Sequence, residues 1–224
     1  MAVVGVLGLA WVIVVWRWQD PVTALYTTWQ QHRLQSQLNQ EFRTYAPKLP
    51  SGVQIVDRSA EARAIQSAAA RLRRDAGMGE PIGRIVVPRL GLNMILVNGT
   101  NESSLERGPG RDLRSYMPGQ NRLVYVAGHR TTFLAPFSQI NTIRPGDPIT
   151  IEMPYGTFLY RAVRHKIVPA DDLAVLRSPQ HELLELQACH PRFFATQRYI
   201  VYARLVHAGT PDGPQLSAQA LASG

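Results

Sequence analysis

Ile149-Thr150-Ile151-Glu152-Met153-Pro154-Tyr155-Gly156-Thr157-Phe158-Leu159-Tyr160-Arg161-Ala162-Val163-Arg164 is the stretch on which the fold turns. Ile149 to Met153 and Thr157 to Arg164 read as strands, and Pro154-Tyr155-Gly156 between them as the turn of a hairpin. Working outward, Leu183 to Ala188 and Tyr199 to Val206 are further strand segments. Upstream, Leu123 to Val126 ends at Gly128. Leu90 to Val97 runs into the turn-rich Asn98-Gly99-Thr100, and Ile82 to Val87 is stopped by Pro88. Short strands at this spacing, with turn signals and few helices, predict an all-β barrel or sandwich beginning at about Gly79. No internal repeat is present.

The residues before Gly79 follow a different pattern. Asp20-Pro21 is a helix start, a capping residue followed by Pro at the first helical position. Leu25, Trp29, Leu34, Leu38 and Phe42 lie at helical spacing with one phase slip, and Pro47 and Pro50-Ser51-Gly52 close the segment. A second, Ala-rich helix is expected from Ser59 to Ala76, closed by Gly77. Residues 19–78 therefore read as a helical stalk or N-terminal extension. The segment from Gly209 is rich in Gly, Pro, Ser and Ala and reads as a frayed, flexible tail over 209–224.

Met1 to Trp16 carries no charge and is nearly all apolar. As a helix it would span roughly 24 Å, against a bilayer hydrocarbon core of about 30 Å. Trp16 and Trp18 suit a membrane interface. A cleaved signal peptide would need a basic start and a small-residue cleavage site, and neither is found near Arg17-Trp18-Gln19-Asp20-Pro21. A single-pass anchor over 1–18 is the favoured reading, although the positive-inside rule alone would keep the side carrying Arg17 cytoplasmic.

The chain has 224 residues and a formal net charge of +8, with 45% hydrophobic, 8% aromatic and 18% charged residues. That composition supports a packed core and excludes a mainly disordered chain. The positive charge is nearly all Arg, with Lys only at 48 and 166. A basic balance suits an anionic membrane or cell wall. With no RNP motif, zinc finger or helix-turn-helix, a nucleic-acid partner is not supported.

There is one cysteine, Cys189, so neither an internal disulfide nor a Cys-rich zinc site can form. It stands at the end of the strand Leu183-Leu184-Glu185-Leu186-Gln187-Ala188 and just before His190-Pro191. A strand end presents a nucleophile rigidly, and a thiol needs a base or a positive field to act at neutral pH. Six histidines could supply the base: His32, His129, His165, His181, His190 and His207. His129, just past a strand in Val126-Ala127-Gly128-His129-Arg130, has the most suggestive context. His190 would point to the opposite face from Cys189 if the strand continues. Arg198 opens the strand Tyr199-Ile200-Val201-Tyr202 and could donate two hydrogen bonds to an oxyanion, with Arg130, Arg192 and Arg204 as rivals.

Ala127-Gly128-His129-Arg130-Thr131-Thr132, with Ala135-Pro136-Phe137, resembles the histidine motif of the sortase family. Arg144-Pro145-Gly146-Asp147 resembles the segment that follows it. Cys189-His190-Pro191 and Arg198-Tyr199-Ile200-Val201 resemble the cysteine and arginine motifs, and Gly83-Arg84-Ile85-Val86-Val87-Pro88-Arg89-Leu90-Gly91-Leu92 the first strands. Counting the cysteine and arginine motifs together, the four occur in the expected order over roughly 79–207, and the His-Arg-Thr-Thr and Cys-His-Pro forms look closest to class E, the actinobacterial housekeeping sortases.

The resemblance implies an eight-stranded β-barrel over 79–208 and a cysteine transpeptidase with its catalytic domain outside the cell membrane. Cys189 would attack the Thr–Gly carbonyl of an LPXTG-like sorting signal, LAXTG-like for class E, at the C-terminus of a secreted protein. His129 would be general acid and base, and Arg198 would hold the substrate and oxyanion. An amine of a peptidoglycan precursor or a pilin would resolve the thioacyl enzyme, with no metal or organic cofactor. Ala127, Leu186 and Ala188 are the residues expected to contact substrate.

The family pattern T-L-x-T-C is met here only by Leu186, with Glu185 and Ala188 at the threonine positions. The frequent Gly-Pro-Gly-His-Tyr is Gly108-Pro109-Gly110-Arg111-Asp112. The loop from about Pro169 to Glu182 should help set specificity. An L,D-transpeptidase would place Arg two residues after its Cys, whereas Arg192 is at plus three and Arg198 at plus nine. A catalytically weak sortase-like scaffold for surface assembly is the alternative that the missing threonines favour.

Overall fold

The computed structural model describes residues 3–6, 21–45, 58–210 and 216–222. Eight strands close a barrel: β1 Pro81–Val87, β2 Leu92–Asn98, β3 Gly110–Arg111, β4 Leu123–Ala127, β5 Pro148–Met153, β6 Gly156–Pro169, β7 Leu183–His190 and β8 Gln197–Gly209. Their order is β6-β5-β1-β2-β3-β4-β7-β8, and β6 pairs β8 to complete the ring. Pairing is antiparallel except for two parallel contacts, β2 with β3 and β4 with β7. The expected hairpin is β5–β6, with Met153 opposite Gly156. β6 runs five residues beyond the expected Arg164, because β8 pairs it all the way to Pro169.

Two residues of β3 were not legible as a strand, yet they link the β1–β2 half of the barrel to β4. Here Arg111 is fully buried and donates to Asn98 Oδ1 and to the carbonyls of Ser115 and Asp112. Burial pulls its guanidinium down to about 10. Gly110 must lack a side chain, since a Cβ there would sit 2.0 Å from the Gly99 carbonyl oxygen.

The two expected helices are α1 Pro21–Tyr45 and α2 Arg58–Asp75. Neither is a free-standing stalk. Ala62, Ile65, Ala69 and Leu72 of α2 belong to the main core inside the barrel. Leu34 and Leu38 of α1 pack on Ile95 and Val97. Gln31 pairs with both backbone groups of Ile95, at 2.7 and 3.3 Å. The apolar positions at the start of α1 are the exception: Leu25 is 75% and Trp29 53% exposed.

The expected flexible tail is docked where it is described. Leu216–Ser217 (β9) adds to β8, and Ala218–Ala222 (α3) lies against α2, with Gln66 donating to the Leu221 carbonyl. Burial of Leu216 and Leu221 outweighs a composition that looked loop-like. Among the described residues no helix is long and apolar enough to cross a membrane. The anchor expected over 1–18 falls outside the described residues except for helical residues 3–6.

Candidate active site

Alternation along β7 decides which side chains are available for chemistry. Leu184, Leu186 and Ala188 point into the main core, and Leu186 and Ala188 are 0% exposed. They are therefore interior residues in this structure and offer no side-chain surface to a peptide. The opposite face of β7 carries Glu185, Gln187 and Cys189. It continues across Tyr125 and Ala127 of β4 and Ile200 and Tyr202 of β8, a second apolar cluster on the outside of the barrel. Val175 and Leu176 of the short 3₁₀ turn Leu173–Leu176 pack on that cluster.

The register assembles the three candidate residues at one end of this outer face. β7 and β8 pair with Cys189 directly opposite Arg198. β4 and β7 run parallel with Ala127 beside Gln187, and Gly128 N–H donates to the Gln187 carbonyl at 3.0 Å. Two residues further along each chain are His129 and Cys189. Gly128 is needed here, since a Cβ would lie 2.7 Å from the Phe137 ring, and Phe137 N–H in turn binds the His129 carbonyl at 3.1 Å.

His129 is half-buried against Phe133, ring centroids 5.1 Å apart. Its Nε2 is buried and has no hydrogen-bond partner among the described residues. Burial holds the imidazole below its ordinary 6.5, opposed by the carboxylates of Glu106 and Glu102. It is thus neutral near pH 7 with an unsatisfied nitrogen, the state of a base awaiting a proton. Arg198 is half-buried, and its Nη1 donates to the carbonyls of Ala195 and Gln197, which leaves its Nη2 edge for a substrate oxygen. Cys189 is partly exposed.

Arg130 was one of several rival arginines in the sequence; here it holds the nucleophile's backbone. It is buried, and Nη1 donates to the Cys189 carbonyl at 3.1 Å and contacts His190 Nδ1 at 2.9 Å. Nη2 donates to Asn141 Oδ1 at 2.8 Å. A guanidinium can only donate, so His190 accepts through Nδ1 and carries its proton on Nε2. His190 is the last residue of β7 and faces away from Cys189, as alternation required. The place of Arg130 beside His129 was the one signal that could have marked it.

Two cavities extend from this end along the outer face. One of about 190 Å³ is lined by Ala127, Gln187 and Arg198, and the next, of about 350 Å³, by Glu185 and Tyr202. Asp172 and Val175 of the segment at the 3₁₀ turn line both. Among the described residues no group of three or more His, Cys, Asp or Glu could hold a metal ion.

A lone thiol opposite an arginine on the paired strand, with a histidine just past the end of the neighbouring parallel strand, is suited to acyl transfer through a covalent thioester. The family model described as "Sortase domain" matches residues 85–206. The chain therefore belongs to the sortase family, whose members are cysteine transpeptidases. It is 33% identical over 133 residues to Sortase D of Bacillus subtilis (strain 168), a match covering 57% of this chain and 65% of that protein. Its identity to Sortase SrtE1 of Streptomyces coelicolor is 28% over 157 residues, covering 60% and 44% respectively. The matches thus span less than two thirds of either curated relative. The crystal structure of Sortase E1 from Streptomyces coelicolor with a tripeptide in the active site superimposes with a TM-score of 0.55 at 25% identity, over 59% of this chain and 91% of that one.

Proposed function

We propose that this chain is a membrane-anchored transpeptidase that cleaves an LPXTG- or LAXTG-like sorting signal between Thr and Gly. It then joins the carbonyl to an amine of a peptidoglycan precursor or a pilin. The observation that carries this reading is the strand register, which sets Cys189 opposite Arg198 and runs β4 beside β7, with His129 two residues past the end of β4. Cys189 gives its thiol proton to the neutral imidazole of His129, and Sγ attacks the Thr carbonyl carbon as the thiolate. The carbonyl electrons move to oxygen, where Arg198 donates hydrogen bonds. Collapse expels the Gly nitrogen, which takes its proton from the imidazolium of His129. The incoming amine then attacks the thioester, gives a proton to His129 and releases the thiolate. The uncharged run from Met1 to Trp16 would hold the catalytic barrel at the outer membrane surface, in keeping with a family generally found there.

Incubating the full chain with LAXTG and LPXTG peptides tests this, with a Cys189→Ala control and intact-mass detection of the thioester. A thioacyl adduct on the wild type and none on the control is expected. Cleavage that survives in the control removes Cys189 from the mechanism. Absence of any adduct on the wild type overturns the enzyme reading in favour of a scaffold.

A further inference from the structure

Thr23, Thr27 and Gln31 follow one another at four-residue spacing, so they share one face of α1. Each is tied to the barrel. Thr23 Oγ1 accepts from the Phe133 N–H at 3.0 Å, and Thr27, fully buried, donates to the Glu106 carbonyl at 2.9 Å. Gln31 donates to the Arg107 carbonyl at 2.7 Å beside its bonds to Ile95. The apolar Leu25 and Trp29 of the same turns are exposed, so this end of α1 is held chiefly by hydrogen bonds.

The segment that Thr23 grips begins four residues after His129. Phe133, Leu134 and Ala135 have φ of 52°, 60° and 38°, three successive left-handed residues that all carry a Cβ. Such a run persists only where its surroundings over-determine it. Ala135 N–H donates to the Thr132 carbonyl at 2.8 Å, and Phe137 N–H to that of His129, which close the turn from within. Thr23 ties it from outside.

Two ring contacts run from α1 to the base. Tyr26 meets Phe133 edge-on with centroids 6.5 Å apart, and Phe133 lies over His129 at 5.1 Å, tilted by 38°. Phe133 thus helps to bury the imidazole. The charged groups that act on this ring are Glu106 and Glu102, from the segment that Thr27 binds.

We propose that Phe133 is a positioning residue for His129, and that the first two turns of α1, through Thr23 and Tyr26, complete the catalytic site by holding Phe133 in place. The proposal rests on the transpeptidase reading. Freed from Thr23, the left-handed run relaxes, and the Phe133 ring leaves His129 with the backbone that carries it.

The test uses the full chain with Thr23→Val, which keeps the shape and loses the acceptor, Thr23→Ser, which keeps the acceptor, and Phe133→Ala. Two readouts are followed: the rate of acylation by a sorting peptide and, in the Cys189→Ala background, the NMR titration midpoint of the His129 ring. Thr23→Val should slow acylation about tenfold, inside the roughly hundredfold cost of a misplacement of about 1 Å, and Thr23→Ser should stay within about twofold of wild type. Phe133→Ala should slow it at least as much and, by letting water reach the imidazole, raise the midpoint toward 6.5. Thr23→Val should move the midpoint the same way by less, and Thr23→Ser should leave it in place. An unchanged rate in Thr23→Val, a loss that Thr23→Ser shares, or a lowered melting temperature with an unmoved His129 midpoint overturns the proposal. Faster acylation in Thr23→Val also overturns it, since α1 would then close the site instead of completing it. If no sorting peptide acylates even the wild type, it is the transpeptidase reading that falls, and the ring titration still reports whether α1 holds Phe133 on His129.

Discussion

Replacing Glu185 by Gln should make the protein more stable at alkaline pH while leaving it nearly unchanged in acid. The carboxyl has an ordinary value of 4.5 and is raised to about 8 in the folded protein, chiefly by burial. Below pH 4.5 it is protonated in both the folded and the unfolded chain, and its contribution to stability is intact. As pH rises the unfolded chain gives up the proton first, so stability is lost progressively until the folded carboxyl also ionises near 8. At 1.36 kcal/mol for each pH unit, the full loss is about 5 kcal/mol, of which about 4 kcal/mol falls between pH 5 and 9. That is a large share of the roughly 5–15 kcal/mol that holds a domain together. Gln has the same shape and cannot ionise. Urea unfolding of wild type and Glu185→Gln at intervals from pH 5 to 9 measures the difference directly. Glu182 is also raised, to about 7, by burial, but it is present in both proteins and cancels. A stability difference that stays constant across that range would refute the buried, unpaired placement of Glu185.

Three further outcomes follow from the site. Arg130→Gln loses donors to the Cys189 carbonyl and His190, so kcat should fall at least roughly tenfold with a smaller change in KM, and Arg130→Lys should restore part of it; equal losses in both variants with a lowered melting temperature would mark a purely structural role. Gly128→Ala places a methyl against the buried Phe137 ring and should cost about 1–3 kcal/mol in chemical denaturation, together with acylation rate through displacement of His129. In the Cys189→Ala background, NMR titration of the His129 ring should give a midpoint below 6.5, because burial outweighs Glu106 and Glu102; a midpoint above it would show that the carboxylates dominate.

Much of the barrel was legible because its strands are short runs of β-branched and aromatic residues broken by Pro and Gly. Ile149 to Met153 and the core of β6 came through with their turn, and Leu183 to Ala188 and Tyr199 to Val206 were found within a few residues of their ends. What failed was anything whose structure depends on a distant partner. Gly110–Arg111 is a strand only because β2 and β4 flank it. Residues 216–222 are ordered against β8 and α2 in spite of their composition. The exposed Leu25 and buried Leu38 lie on one helix on either side of the phase slip, about 220° apart around its axis, and the barrel lies beneath the second of them.

The same division runs through the site. The sequence by itself determined that there is one thiol, that a strand carries it, and that Glu185 and Cys189 share a face which Ala188 does not, since side-chain alternation is a local property of an extended chain. The tertiary structure alone decided which face is the interior, and so turned Leu186 and Ala188 into core residues and Glu185 into part of a cavity wall. It alone chose among the arginines, giving Arg198 to the face of Cys189 and Arg130 to its backbone. The first choice comes from the β7–β8 register and the second from strands some 60 residues apart in the chain, both set by the packing of both faces at once, which no local pattern encodes.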